Sequence, residues 1–242
     1  FKSLSNRLLQ AISYFQTDEV APLIQSFLVE NPKASDYRRF PKYFIALISS
    51  MPMHLHPFSD NISAFLEESI KKASLNSREL NNSMNACAQF FDSFANYESF
   101  ADVCLTELDK ALSSRQQSAI RLAKSISIQF PSLFKNHDES VEKLIQKLNK
   151  DPSPEVIDII TRIITEIPNY HDEIIESFKM MLNNSKIMKR EHIWKSFNVL
   201  LTFMKESFAT EQFVDLLIIF LINYRHVETI SIAHGIKLTS SQ

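Results

Sequence analysis

Only one glycine, Gly235, occurs in 242 residues, and that scarcity constrains the fold more than any other feature of the chain. An ordinary protein carries about 7% glycine. Tight strand hairpins need residues at positive φ, which glycine supplies. Phosphate and dinucleotide loops need it where backbone must approach the anion closely. The chain is thereby turned away from strand-rich folds and from Rossmann or P-loop sites. The nine prolines sit mainly between apolar periodic segments, where helices have to stop.

The stretch Val141 to Leu182 shows the recurring unit. Val141, Leu144, Ile145 and Leu148 repeat at the three- and four-residue spacing of one helix face. The turn Asn149-Lys-Asp-Pro-Ser-Pro154 follows, and Ser153-Pro154-Glu155 opens a second helix with a cap and a first-position proline. That helix is predicted over Val156 to Ile167, broken by Pro168-Asn169-Tyr170, and a third over Ile174 to Leu182 repeats the first.

Elsewhere the same reading predicts helices ending near Gln16, then over Val20–Val29, Phe40–Ser50 and Ile62–Ala73. Further on come Glu79–Phe94, Ser99–Leu112, Arg115–Phe130, Glu139–Asn149, Lys189–Lys205, Thr210–Tyr224 and a weaker His226–Ile236. Met51 to Phe58 reads as a loop, with Ser59-Asp60 capping the helix after it. The second helices of successive pairs begin their shared apolar frame at Val20, Ile62, Phe100, Val141, Ile174 and Phe213, with separations of 42, 38, 41, 33 and 39. That spacing is close to the ~40 residues of two-helix repeats. The expected fold is all-α, a right-handed α-solenoid of about six antiparallel helix pairs in one helical-repeat domain. Its repeats run roughly over 1–32, 37–74, 77–113, 115–150, 153–184 and 187–225, plus a C-terminal helix over 226–236. The alternative is a non-repetitive bundle of helices of similar length. A first residue other than Met is consistent with a fragment of a longer chain.

In period, two-helix units and apolar frame the chain resembles the HEAT and armadillo-type repeat superfamily over nearly all of its length. The proline early in a HEAT repeat's first helix is matched most clearly at Pro41. The Asp and Arg usual near the turn inside a repeat are not regular here, which leaves the family within the superfamily open.

A net charge of −2 gives no general pull toward nucleic acid or acidic membranes. The two cysteines, Cys87 and Cys104, are expected as buried small hydrophobes in adjacent helices. So few cysteines suit a reducing compartment, cytoplasmic or nuclear. The longest apolar run, Leu216 to Ile222, is far short of the ~18 residues of a membrane span.

No catalytic constellation is present: neither Gly-x-Ser-x-Gly, nor a Walker loop, nor His-Glu-x-x-His, nor Cys-x-x-Cys. His54 and His56 are spaced to chelate, yet zinc needs two further ligands, so no metal or cofactor is expected. His137-Asp138 and His171-Asp172 offer imidazole–carboxylate contacts, but Asp as a helix cap is the plainer account. Two stretches suit partner binding. Lys186, Lys189 and Arg190 precede the only tryptophan, Trp194, a mixture that fits an acidic or phosphate-bearing surface with an aromatic anchor. Arg38 and Arg39 lie among aromatics at an inter-repeat turn, and Tyr170 with His171 lies at another turn. The turns inside repeats also carry Phe15, His54, His56, Phe58, Tyr97, Phe134, His137 and Phe208, either as a contact ridge or folded back as packing.

The expected function is a non-enzymatic protein–protein interaction scaffold or adaptor, taking a helix or extended peptide on its concave face or along the turn ridge. The polar positions Gln25, Glu67, Lys71, Asp102, Lys143, Lys147, Glu176 and Lys179 are candidates for that face and mix both signs. Six HEAT-type repeats also suit a TOG-like tubulin-binding array. The first turn, Gln16-Thr-Asp-Glu19, departs from the tryptophan that such domains place there. An MIF4G-like RNA-associated domain is the remaining alternative, and the missing basic stripe weighs against nucleic acid.

Overall fold

Apolar residues at helical spacing have to be covered, and the structure, a computed structural model, covers them with other helices. It describes residues 52–75, 77–112 and 117–184, together with Pro41, Ile45, Ile48, Ser49, Asp215 and Ile218. The expected helices over 1–40, 189–205 and 226–236 lie outside the described residues. Among the described residues there is no strand, and no helix is long and apolar enough to cross a membrane. The chain divides into two compact units, 1–140 and 141–242.

Eight α-helices are described. They are α1 (Pro52–Leu55), α2 (Ser59–Lys72), α3 (Arg78–Ser93), α4 (Glu98–Ala111), α5 (Gln117–Gln129), α6 (Asp138–Lys150), α7 (Pro154–Ile163) and α8 (His171–Leu182). The 62, 100, 141 and 174 frames all turn inward. Ile62, Phe65, Leu66 and Ile70 of α2, and Phe100, Cys104, Leu105 and Leu108 of α4, are buried. So are Val141, Leu144, Ile145 and Leu148 of α6, and Ile174, Ile175, Phe178 and Met181 of α8.

In the first unit, α3 packs against both α2 and α5, and α2 also packs against α4. Small side chains let a helix approach its neighbours closely, and Ala86, Cys87 and Ala88 on α3 are each fully buried. The α3–α4 turn is filled by aromatics: the Phe90 ring lies 4.8 Å from Phe94, 4.8 Å from Tyr97 and 5.5 Å from Phe100. Asn96 takes φ 72° in this turn, a left-handed conformation that asparagine tolerates better than most side chains.

Helices two apart in sequence lie start against start. The Tyr97 hydroxyl, just before α4, donates to Asp60 Oδ1 at the start of α2 (2.9 Å). Late in the same pair, Glu107 of α4 is among the charges that raise the Lys71 ammonium, after the larger effect of Glu67. Ser118 at the start of α5 donates to Asn81 Oδ1 near the start of α3 (2.5 Å). At the other end Gln129 donates to the carbonyls of Phe91 and Phe94. The separations of 37 for Asp60–Tyr97, 37 for Asn81–Ser118 and 38 for Phe91–Gln129 are near the ~40 residues of a two-helix unit.

Several local expectations are corrected. Within the loop expected over Met51 to Phe58, the described residues are not a loop: Pro52–Leu55 is a helical turn and His56–Phe58 a 3₁₀ turn. Prolines tolerate first-turn positions, where their missing N–H is no loss, and the fully buried Leu55 anchors the segment. Ser59 and Asp60 do not cap α2. Phe58 occupies the cap position without a side-chain bond, the Ser59 hydroxyl donates back to the His56 carbonyl (2.7 Å), and Asp60 is engaged by Tyr97. Asp172 does not cap α8 either, because Tyr170 holds the cap position and Asp172 lies in the first turn. Its carboxylate still suits the positive end of the helix dipole. The helix expected to reach Ile167 ends at Ile163 and continues as a 3₁₀ turn over Ile164–Glu166. Pro168 pushes the residue before it out of the α region, and Ile167 sits at φ −123°, ψ 56°. The cap at Ser153 is as expected, its hydroxyl accepting the Val156 N–H at 3.3 Å with Pro154 in first position.

Candidate functional site

A largely buried polar cluster forms where α5 hands over to α6. Phe130 ends the helical run, and Pro131 opens a 3₁₀ turn over Pro131–Asn136. Fully buried Phe134 anchors that turn, and the His137 N–H closes it on the Phe134 carbonyl at 3.1 Å. The turn delivers the His137 ring, only 8% exposed, onto α4. There Nε2 lies 2.9 Å from Asp102 Oδ1 and Nδ1 lies 3.3 Å from Asp109 Oδ2. Asp102 and Asp109 are two helical turns apart, so both carboxylates project from one face. The Ser140 hydroxyl, fully buried on α6, donates to the other oxygen of Asp109.

Donor counting defines what this arrangement can do. A neutral imidazole carries one N–H and donates to one of the two carboxylates, while an imidazolium donates to both. Ser140 bonds to Asp109 and not to the ring, so the nucleophile–base contact of a hydrolytic triad is not made. The cluster is a clasp that ties the start of α6 to α4. His137→Ala should lower the unfolding free energy by about 1–3 kcal/mol, since it removes a nearly buried ring together with its hydrogen bond to the carboxylates of α4. Asp102→Asn should cost less, because the Asp102 side chain is 52% exposed. Urea unfolding of the three proteins checks the order.

A second polar seam runs between α3 and α5. Arg121 donates to Gln89 Oε1 (2.9 Å) and pairs with Asp92 at 3.6 Å, while buried Ser125 donates to Asp92 Oδ1 (2.7 Å). These bonds are directional, so they set the register of two helices whose apolar contacts alone would tolerate sliding.

The outer faces of the helices carry their charge in short-range pairs. Glu67–Lys71 and Glu68–Lys72 lie on α2, Glu107–Lys110 on α4, Asp158–Arg162 on α7 and Glu176–Lys179 on α8, all between 2.5 and 3.1 Å. The Lys72 hydrogen bond is the main reason Glu68 is held below the usual carboxylate range. Exposed pairs of this kind contribute about 0–1 kcal/mol each. Their consequence is a surface of alternating sign, on which Glu67, Lys71, Glu176 and Lys179 are already partnered. Among the described residues, no group of three or more His, Cys, Asp or Glu side chains is arranged to hold a metal ion.

The expected partner-binding residues divide sharply. Arg38, Arg39, Lys186, Lys189, Arg190 and Trp194 lie outside the described residues. Tyr170 and His171 are described and half-buried at the start of α8. His171 Nε2 lies 2.7 Å from the Ile164 carbonyl, and the Tyr170 N–H donates to the Ile167 carbonyl. Along the turns, Phe134 and His137 are buried, Tyr97 is engaged with Asp60, and His56 is exposed, its ring centre 6.2 Å from that of Phe94 in an edge-to-face contact. Most of these side chains therefore fold back onto the helices beneath. Sequence adjacency offers His137 only Asp138 as a carboxylate, with a cap as the plainer role of that residue, and overlooks Asp102 and Asp109, 35 and 28 residues away. The available signal was the seven-residue spacing of those two aspartates, which puts both on one face of α4. Compared with models of protein families, with curated proteins and with solved structures, the chain matches none.

Proposed function

We propose that this protein is a non-enzymatic interaction scaffold, an α-solenoid of HEAT-like antiparallel helix pairs working in a reducing compartment of the cell. The observation that carries the reading is the start-against-start stacking of α2 with α4 and of α3 with α5, at a separation of 37 or 38 residues. Helices stacked this way present a long row of equivalent polar positions, which suits a peptide or helix held by dispersed contacts. The alternating charge of those positions favours a partner of mixed sign over a polyanion.

The basic stretch ending at Trp194 is the anchor we assign to that partner, because desolvated tryptophan and arginine carry a disproportionate share of interface energy. Affinity purification from the native source, with mass spectrometry of what co-purifies, tests the proposal. A recurring set of proteins should appear, and the triple change Lys189→Glu, Arg190→Glu and Trp194→Ala should remove it while leaving the helical circular dichroism intact. Tubulin as the dominant partner would favour the TOG-like alternative, and RNA the MIF4G-like one. Either result would overturn the adaptor reading.

A further inference from the structure

The two cysteines of the chain face each other across consecutive helices. Cys87 lies six residues before Ser93, the end of α3, and Cys104 lies six residues after Glu98, the start of α4. At 1.5 Å rise per residue each sits about 9 Å of helix away from the same turn. Ring contacts of Phe90 with Tyr97 and of Phe91 with Phe100 (5.1 Å) hold the helices together next to that turn. Four residues further from the turn, on the same helix faces as Phe91 and Phe100, Cys87 and Cys104 stand opposite each other. Both are free and fully buried, flanked by the buried Ala86, Ala88 and Ala101. Burial, and after it the Cys87 contact, pushes the Cys104 thiol well above its ordinary range. The closed fold thus keeps Cys104 as the thiol, and the attacking species in exchange chemistry is the thiolate.

We propose that Cys87 and Cys104 form a latent disulfide site, shielded while α3 and α4 are packed and joined by a low-molecular-weight disulfide once they open. In the opened chain one cysteine loses its proton to solvent and attacks a sulfur of oxidised glutathione. A new sulfur–sulfur bond forms, the glutathione bond breaks, and the departing glutathione thiolate takes up a proton. The second cysteine then attacks the mixed disulfide in the same way and releases the other glutathione. Two protein thiols are oxidised and one glutathione disulfide is reduced to two thiols. Because the two cysteines stand opposite each other one turn beyond the Phe91–Phe100 contact, the bond staples α3 to α4 in their native pairing. Linking positions 87 and 104 also removes chain entropy from the unfolded state.

The test uses the full chain with oxidised glutathione, in water and in urea at the foot of the unfolding transition. Trapping with N-ethylmaleimide and intact mass then follow. The expected product is two hydrogens lighter, carries neither maleimide nor glutathione, and forms at least about tenfold faster in the urea, as exposure-controlled thiol chemistry requires. Returned to water it should melt several degrees higher than the reduced chain, and dithiothreitol should abolish the gain. Cys87→Ala and Cys104→Ala should each keep one glutathione and show no gain in melting temperature. The comparison of oxidised with reduced wild-type chain stands even if a variant fails to fold. A lower melting temperature after cross-linking, an accumulating mixed disulfide or intermolecular dimer, or equal rates in water and urea would each overturn the proposal.

Discussion

Phe90→Ala should lower the unfolding free energy by about 3–5 kcal/mol, the range for truncating a buried aromatic without full collapse of the space it leaves. Phe90 is fully buried and its ring lies within 6 Å of Phe91, Phe94, Tyr97 and Phe100. The loss therefore combines the transfer term with aromatic contacts of about 0.5–1.5 kcal/mol per pair. Domain stabilities of about 5–15 kcal/mol leave little margin for it. In a urea titration the midpoint should fall substantially, and the melting temperature should drop by roughly 10 °C. Phe90→Leu keeps most of the volume and should cost well under half as much. If both variants cost under about 1 kcal/mol, the aromatic turn is not what holds α3 and α4 together.

Leu144→Asp is expected to have a comparable or larger effect through a different mechanism. Leu144 is fully buried on α6, in line with Val141, Ile145 and Leu148. A carboxylate at that position must either lose its hydration without a partner or draw the helix away from what covers it. Removing one partner from a buried ion pair, which also strands a charge, costs about 3–5 kcal/mol, and an unpaired carboxylate in an apolar site belongs at the upper end. Circular dichroism should show lost helix at room temperature, or a urea midpoint shifted most of the way to zero. Gln146→Asp places the same charge on the exposed face of the same helix and should change stability by no more than about 0.5 kcal/mol. Equal effects at 144 and 146 would mean that the inward face has been assigned wrongly.

That pair of variants also marks how far the chain could be read without coordinates. The inward faces of α2, α4, α6 and α8 follow from the apolar spacing alone, because a stripe three and four residues apart can be covered only if the segment is helical. The bounds of α3 and α4, and the end of α5, came within one residue of the observed ones, since prolines, caps and polar turns act locally. Errors arose where a local signal met a distant competitor or where a proline acted through its neighbour. Asp60 looked like a cap and is held by Tyr97, 37 residues away. Ile167 looked helical and was turned aside by Pro168.

Local sequence therefore determined that the described chain is helical, which residues of each helix face inward, and where the breaks fall. These depend on φ and ψ preferences and on a period of 3.6, both properties of neighbouring residues. Only tertiary structure decided which face meets which: His137 with Asp102 and Asp109, Ser125 with Asp92, Cys87 with Cys104. An amphipathic stripe records that it must be buried and carries almost no record of the surface that buries it. Apolar contact is non-directional, so the choice is made by the few directional bonds and the matched volumes that appear once the helices are packed.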